Sequence, residues 1–328
     1  MASNFWQKLS KPFFVLAPMA NVTDSVFRKL FAKYGKPDVT WTEFVSADGL
    51  LSPGRDKLLV DLEYSKKERP IVAQLFTGHV EAMRGAAKLV KELGFDGLDI
   101  NMGCPDRAVE KQGGGAANMK NPKNAVAIIK AAREGSGLPV SVKTRIGYNK
   151  VEMDWIRLLL EHKLPALTVH LRTRKEMSLV PAHWELMPEI VKMRNEISPE
   201  TLIIGNGDVE TLKQAREYVS KYGCDGVMIG RGIFGKPWFF DEKVEKNGGK
   251  GANERLEILL EHTKLFEKTF RKNGKEVKNF DTMKKHFKAY VYGWDHAKDL
   301  RVKLMETKNY KEVKKVIDEY LSTFDLTT

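Results

Sequence analysis

The stretch "LIIGNGDVETLKQAREYVSKYGCDGVMIGRG", Leu202–Gly232, uses the same device twice. Two short apolar runs, Leu202–Asn206 and Gly226–Gly230, each end in a pair of glycines around one polar residue. Gly205 and Gly207 flank Asn206, and Gly230 and Gly232 flank Arg231. An apolar run of this length bounded by glycine reads as a strand buried on both faces, as strands of a parallel sheet are. Six earlier runs share that texture: Phe13–Ala17, Val39–Phe44, Ile71–Phe76, Gly97–Asn101, Val140–Arg145 and Ala166–Leu171. Amphipathic helical patterns lie between most of them, and two of these, Val80–Gly94 and Asn124–Gly135, end at a glycine. Strands alternating with helices imply right-handed crossovers and a parallel sheet. Eight such units in about 230 residues predict a closed (β/α)8 TIM barrel. An open doubly wound sheet is the competing architecture. It places its glycine fingerprint after the first strand, where this chain has "APMANVTD", Ala17–Asp24.

After Phe240 the texture changes. "EKNGGKGAN", Glu245–Asn253, is polar and glycine-rich. From Glu254 to Phe324 no strand pattern is visible. Apolar residues at three- and four-residue spacing in Arg255–Phe270, Asp281–Trp294 and Tyr310–Phe324 read as amphipathic helices. The expected organisation is a barrel domain over residues 1–244, a linker over 245–252 and a small all-α bundle over 253–328.

The 328 residues can bury a large core, and 42% hydrophobic with 30% charged residues excludes a disordered or membrane-embedded chain. The apolar run near the N-terminus is broken at Pro18, too short for a signal-peptide core or a membrane span. Cys104 and Cys224 are the only cysteines, which excludes a disulfide framework and suits a reducing cytoplasm. The net charge of +12 favours a polyanionic partner, although lysines on solvated helix faces give the same number.

In a barrel of this kind, the chemistry lies where strands end. The residues there are Met19 and Ala20, Gln74, Asn101 and Cys104, Lys143 and Arg145, His170 with Arg172 and Arg174, Asn206 and Asp208, and Gly230 and Arg231. This set is rich in cations and amides, so it suits an anionic, hydrogen-bonding ligand. Glycine-bounded backbone after strands seven and eight is the usual phosphate cradle of the fold. Cys224 reads as a small buried hydrophobe. Cys104 instead sits between Gly103 and Pro105 after a strand, followed by "GGGAANM", Gly113–Met119. Its thiol fits three jobs: nucleophile paired with His170, metal ligand, or proton donor. A metal needs more Cys or His close by, and a hydrolytic pair leaves the phosphate cradle without a purpose. A general acid fits a cationic mouth, where Lys143 or Arg145 stabilises the thiolate left behind. Lys143 and Arg145 share one strand face, and a salt bridge to Asp99 is the structural alternative for them.

Taken in order, "APMANVTDSVFR", "NMGCPDRAVEKQGGGAANM", "VKTRIG", "TVHLRTR", "IIGNGDV" and "GVMIGRGIFGKPWFF" resemble the tRNA-dihydrouridine synthase family. The tail with "MKKHFKAYVYGW" is similar to that family's helical tRNA-recruiting domain. A monomer in the cytoplasm is the default expectation. The resemblance implies an FMN enzyme reduced by NADPH or alternatively NADH. It would pass hydride to C6 of a uracil in the D-loop, at the tRNA elbow, while Cys104 protonates C5. Pro18, Met19, Ala20, Gln74, Lys143 and His170 would line the flavin, and Asn206, Gly207, Asp208, Gly230 and Arg231 would hold its phosphate. Asn101, Arg145, Arg172 and Arg174 would meet the substrate, with no metal and no membrane involved. Two residues depart from the family pattern: Leu171 stands where glycine is usual, and Asn118 where an apolar residue is common. The closest rival is an FMN-dependent free-pyrimidine oxidoreductase of the dihydroorotate or dihydropyrimidine dehydrogenase type, which would need no basic helical arm.

Overall fold

The structure, a computed structural model, describes residues 4–272 and 274–324; residues 1–3, 273 and 325–328 of the expected spans lie outside the described residues. All eight expected strands form: β1 Phe13–Leu16, β2 Thr40–Ser46, β3 Ile71–Phe76, β4 Gly97–Met102, β5 Val140–Arg145, β6 Ala166–His170, β7 Leu202–Asn206 and β8 Gly226–Ile229. They pair in parallel in the order β1-β8-β7-β6-β5-β4-β3-β2. A bridge between Val15 and Val39, with Asp38 N donating to Phe14 O at 2.9 Å, joins the two ends and closes the (β/α)8 ring. Closure leaves no unpaired sheet edge.

The barrel is a packed core below and a polar mouth above. Phe13, Val15, Val39, Trp41, Val72, Ile204 and Met228 fill the lower interior with Trp6, which enters from the N-terminal turn Phe5–Lys8. The rings of Trp6 and Trp41 lie 5.7 Å apart. Near the strand ends the inward positions become Gln74, Asp99, Asn101, Ser141, Lys143 and His170. The register sets Gln74 beside Asp99, Asn101 beside Lys143, and Arg145 beside His170.

The surrounding helices obey local rules. Asn121 caps Pro122–Ser136, which has proline in its first turn and ends at left-handed Gly137. Thr211 caps Leu212–Tyr222, which ends at left-handed Gly223.

The described residues divide into two compact units, one drawn from residues 4–25 and 37–231, the other from residues 26–36 and 232–324 without 273. The second unit contains the helices Ala252–Phe270, Met283–Tyr290, Ala297–Glu306 and Tyr310–Thr323. Two features differ from the sequence expectation. A two-residue hairpin pairs Arg271–Lys272 with Lys275–Glu276, too short to leave an alternating pattern. The helix Ala297–Glu306 buries only Ala297, Leu300 and Leu304, so its polar sequence hides the periodicity. Among the described residues no helix is long and apolar enough to cross a membrane.

The core of the second unit holds an unusual pair. His262 and His286 are fully buried with ring centroids 4.6 Å apart, and Phe27 stacks on His262 at 5.0 Å. Neither nitrogen of His286 has a hydrogen-bond partner, and Tyr290 Oη lies 3.3 Å from His262 Nδ1. Burial drives both imidazoles down, His286 to about 3 with Lys285 adding to the effect, and His262 well below its ordinary value. The folded state therefore binds fewer protons than the unfolded chain once the pH drops below the free-histidine value of 6.5. The stability of this unit should be complete above that pH and fall below it by about 1.4 kcal/mol per pH unit for each histidine. Urea midpoints measured from pH 7 to pH 5 should show this slope, and His286→Phe should lose about half of it. A flat profile in the wild type would refute the buried neutral pair.

Candidate active site

Cys104 follows β4 in a turn made by Asn101, whose Oδ1 accepts from Gly103 N at 3.1 Å and Cys104 N at 2.9 Å. Asn101 Nδ2 donates to Gln74 Oε1 at 3.0 Å, and Gln74 Nε2 donates to Asp99 Oδ2 at 2.7 Å. Ser141 Oγ donates to Asp99 Oδ1 at 2.5 Å. Burial raises the Asp99 carboxyl to about 6 against these hydrogen bonds. The glycine run folds back onto the same turn. Ala116 N donates to Cys104 O at 2.9 Å, and Gly115 has φ +57. A Cβ there would lie 2.5 Å from Cys104 O, so both conformation and space require glycine.

The thiol is half-buried and free. Burial raises its pKa above the ordinary 9.0, although Lys143, Arg145 and the Asp106 backbone N–H pull it down. At neutral pH Cys104 is a protonated donor.

Lys143 Nζ donates to Asn206 Oδ1 at 3.1 Å, and Asn206 Nδ2 donates to Met228 O at 2.8 Å. The partner of Lys143 is thus this amide rather than Asp99. Burial, with Arg145 assisting, lowers Lys143 to about 8. Arg145 is a clamp: Nε donates to Gly103 O at 2.9 Å, and Nη1 to Thr173 O at 3.0 Å and Met177 O at 2.9 Å. Burial lowers its guanidinium to about 10. His170 is driven well below its ordinary value by burial and by Arg145, Lys143 and Arg172. Arg172 Nη1 lies 3.2 Å from His170 Nε2. A guanidinium only donates, so Nε2 accepts and the proton of the neutral ring sits on Nδ1.

The outer arginines are engaged by carboxylates. Arg172 pairs with Asp208, which also accepts from Ala182 N at 2.8 Å and Arg231 Nη2 at 3.1 Å. Arg174 holds Glu110 through Nε and Nη2. Pro18 is buried, while Met19 and Ala20 reach the surface of a turn in which Thr23 Oγ1 accepts from Met19 N at 2.9 Å. The structure therefore brings Gln74, Asn101, Cys104, Lys143, Arg145, His170 and Asn206 together at one mouth, with Arg172 buried beside His170 and Arg174 paired to Glu110.

Two observations bear on the fit of a phosphate-bearing flavin. A Cβ at Gly230 would meet nothing closer than 3.9 Å, from Ala17 and Met19, so no protein atom demands glycine there and the space is left for something else. The mouth is also cationic. Lys143, Arg145, Arg172 and Arg231 all depress His170, as an anion site awaiting its charge would. Gly205 and Gly207 have packing reasons of their own: a Cβ would lie 2.4 Å from Trp184 at the first and 2.6 Å from Ala182 at the second. A cleft of about 780 Å³ exists at the opposite end of the strands, bordered by Trp6, Pro139, Pro165 and Leu202, away from these groups.

A model described as dihydrouridine synthase matches residues 15–325. The chain belongs to that family. A Staphylococcus aureus (strain COL) protein described as a probable tRNA-dihydrouridine synthase is 42% identical over 99% of this chain and 98% of its own length. A Bacillus subtilis (strain 168) protein described as probable tRNA-dihydrouridine synthase 2 is 41% identical over 98% and 97%. Solved structures add the fold alone. A morphinone reductase variant in complex with tetrahydroNAD has a TM-score of 0.51 at 13% identity, covering 75% of this chain and 90% of that one. A 2-naphthoyl-CoA reductase complex has a TM-score of 0.54 at 10% identity, covering 76% and 53%. Family membership makes the chain a flavin-dependent oxidoreductase.

In this family member, sequence reasoning missed Glu43, which is buried and accepts from Asn21 N, holding the left-handed turn after Ala20. A carboxylate ending the apolar run "VTWTEF" was the available signal. It also missed Glu110, whose partner lies 64 positions away.

A protonated thiol makes a measurable claim. Alkylation of Cys104 by iodoacetamide, followed by peptide mass spectrometry, should accelerate with pH toward a midpoint above 9.0. A midpoint below neutrality would mean a stored thiolate.

Proposed function

We propose that the enzyme is a tRNA-dihydrouridine synthase that binds FMN, takes electrons from NADPH or NADH, and reduces a D-loop uridine to 5,6-dihydrouridine. The observation that carries this reading is a free, half-buried thiol held by the Asn101 turn beside Lys143 and Arg145 at a barrel mouth. When bound, reduced FMN supplies the hydride. Pro18, Met19, Ala20 and Gln74 would border the ring, while Asn206, Gly207, Asp208, Gly230 and Arg231 would hold the phosphate.

The remaining work falls to side chains of this chain. Reduction forms C–H bonds at C6 and C5 of the base and breaks the S–H bond of Cys104. Negative charge grows on the uracil carbonyl as the C5–C6 double bond is lost, and Lys143 with the Nδ1–H of His170 offsets it. The thiolate left at Cys104 keeps the Asp106 N–H and the positive field of Lys143 and Arg145 until solvent returns its proton. Asn101 holds the turn that aims the thiol. Arg172 and Arg174 act on the substrate by ordering the rim, since Asp208 and Glu110 occupy their guanidiniums.

The second unit is the proposed tRNA-recruiting part. Its sequence from Asn253 carries a net charge of +4, and Lys288, Lys298, Lys303 and Lys311 are exposed on its helices. Phosphate contacts of this kind offset the cost of drawing a base from its stack. We propose that the enzyme works as a monomer in the cytoplasm, a setting that suits its two free thiols.

The direct test is mass-spectrometric mapping of dihydrouridine in tRNA incubated with the enzyme, FMN and NADPH. Cys104→Ala should stay yellow and be reduced by NADPH normally, with dihydrouridine formation down by about 100-fold or more. Near-normal turnover would assign the proton to another group. Replacing Lys288, Lys298, Lys303 and Lys311 with alanine should weaken tRNA binding about tenfold or more at low salt, and flatten its salt dependence. Filter binding that matches the wild type at every salt concentration would place the RNA elsewhere.

A further inference from the structure

The loop after β6 carries the most exposed of the large apolar side chains among the described residues, Leu179 at 87%, with Met177 exposed two positions earlier. One exposed leucine is ordinary. This loop is not an ordinary mobile tip, because buried groups hold its backbone. Arg172 Nε donates to Val180 O at 2.6 Å, and Arg145 Nη1 donates to Met177 O at 2.9 Å. Thr173 N donates to Glu176 Oε2 at 2.7 Å, and Leu179 N to Glu176 O at 2.9 Å. Both arginines are buried. Arg145 also donates to Gly103 O, so one guanidinium ties this loop to the Cys104 turn. The Arg174–Glu110 pair ties it a second time, to the helix Arg107–Lys111 just beyond Cys104. The fold thus holds a rigid backbone at the mouth and presents from it a leucine that stays in water.

We propose that Leu179, with Met177 beside it, is an apolar wedge that takes the place of the target base in the RNA stack when that base enters the mouth. The proposal rests on the reading of the substrate as tRNA. A stacked base must leave its neighbours to reach Cys104, and the gap it leaves exposes two base faces to water. Leucine and methionine are side chains that proteins insert between such faces. A tip ordered in advance spends little entropy on insertion. Leu179 is a positioning residue, since it acts by shifting the base toward the mouth rather than at the reacting carbons.

The test uses the full chain with FMN and NADPH, tRNA, and a second tRNA carrying 2-aminopurine beside the target uridine. Leu179→Ser should lower the rate of dihydrouridine formation about tenfold, the scale set by burial of one leucine side chain. Reduction of the flavin by NADPH should be unchanged. The wild type should brighten 2-aminopurine on binding, Leu179→Ser should brighten it less, and Leu179→Met should restore both signals. An unchanged rate in Leu179→Ser would overturn the wedge, as would a lowered rate with full brightening. If the wild type itself forms no dihydrouridine in tRNA, the substrate reading fails instead, and the two failures are told apart by that control.

Discussion

A buried carboxylate sets the direction of the amides at the mouth. Asp99 is fully buried, and above about 6 it is ionised and can only accept hydrogen bonds. Gln74 must therefore turn its amide nitrogen to Asp99 and its oxygen to Asn101. Asn101 must then donate to Gln74, which leaves its oxygen for the backbone of Gly103 and Cys104. Each link is an ordinary hydrogen bond worth about 1 kcal/mol net, but reversing one amide would strand two buried groups at about 1–3 kcal/mol each. The turn that presents the thiol thus inherits its geometry from a charge two strand positions below it. Lys143, beside Asn101 in the register, adds its field to Asp99 without bonding to it.

The charges are sorted by partner. Asp208 and Glu110 neutralise Arg172 and Arg174, and those pairs act as struts between loops. Arg145 instead gives its donors to three backbone carbonyls, and Lys143 gives one to an amide. Neutral acceptors satisfy hydrogen bonds without cancelling charge. The mouth therefore keeps a positive field that adds to burial in lowering the pKa of Lys143 and His170, and an anion placed there would relieve that repulsion. Water would screen such a field at the surface, while the partly buried mouth preserves it.

The strands were legible because parallel strands covered on both faces read as mostly apolar runs, and glycine, proline or a polar group ends most of them. Ile71–Phe76, Val140–Arg145 and Leu202–Asn206 match the sequence reading to the residue. The side-chain sets were less legible. That Lys143 and Arg145 share a face follows from alternation, but the carbonyls that Arg145 reaches, on Gly103, Thr173 and Met177, have no residue signature at all. The Asp99–Gln74–Asn101 relay depends on register between three strands, which no single segment encodes. The glycine signals divided once packing was known. Gly205 and Gly207 are required by Trp184 and Ala182, whereas Gly230 is required by no protein atom, and only the last leaves room for a ligand.

The direction of one pKa shift separates the two chemistries open to a cysteine at this mouth. A nucleophile or hydrolytic pair needs a lowered thiol pKa and a nearby base with a free lone pair. Cys104 is raised instead, because burial outweighs the cations around it. The basic nitrogen of His170 is already taken by Arg172, and burial with the same cations holds the ring neutral. The mouth thus offers a proton on sulfur and a second donor at His170 Nδ1, while the imidazole nitrogen that would serve as the base of a hydrolytic pair is engaged by Arg172. Such a site can give a proton to a carbon that has just gained electrons, and is poorly built to attack an ester or amide. The same cations that fail to ionise the thiol at rest would stabilise it once its proton has moved, which is the asymmetry a general acid requires.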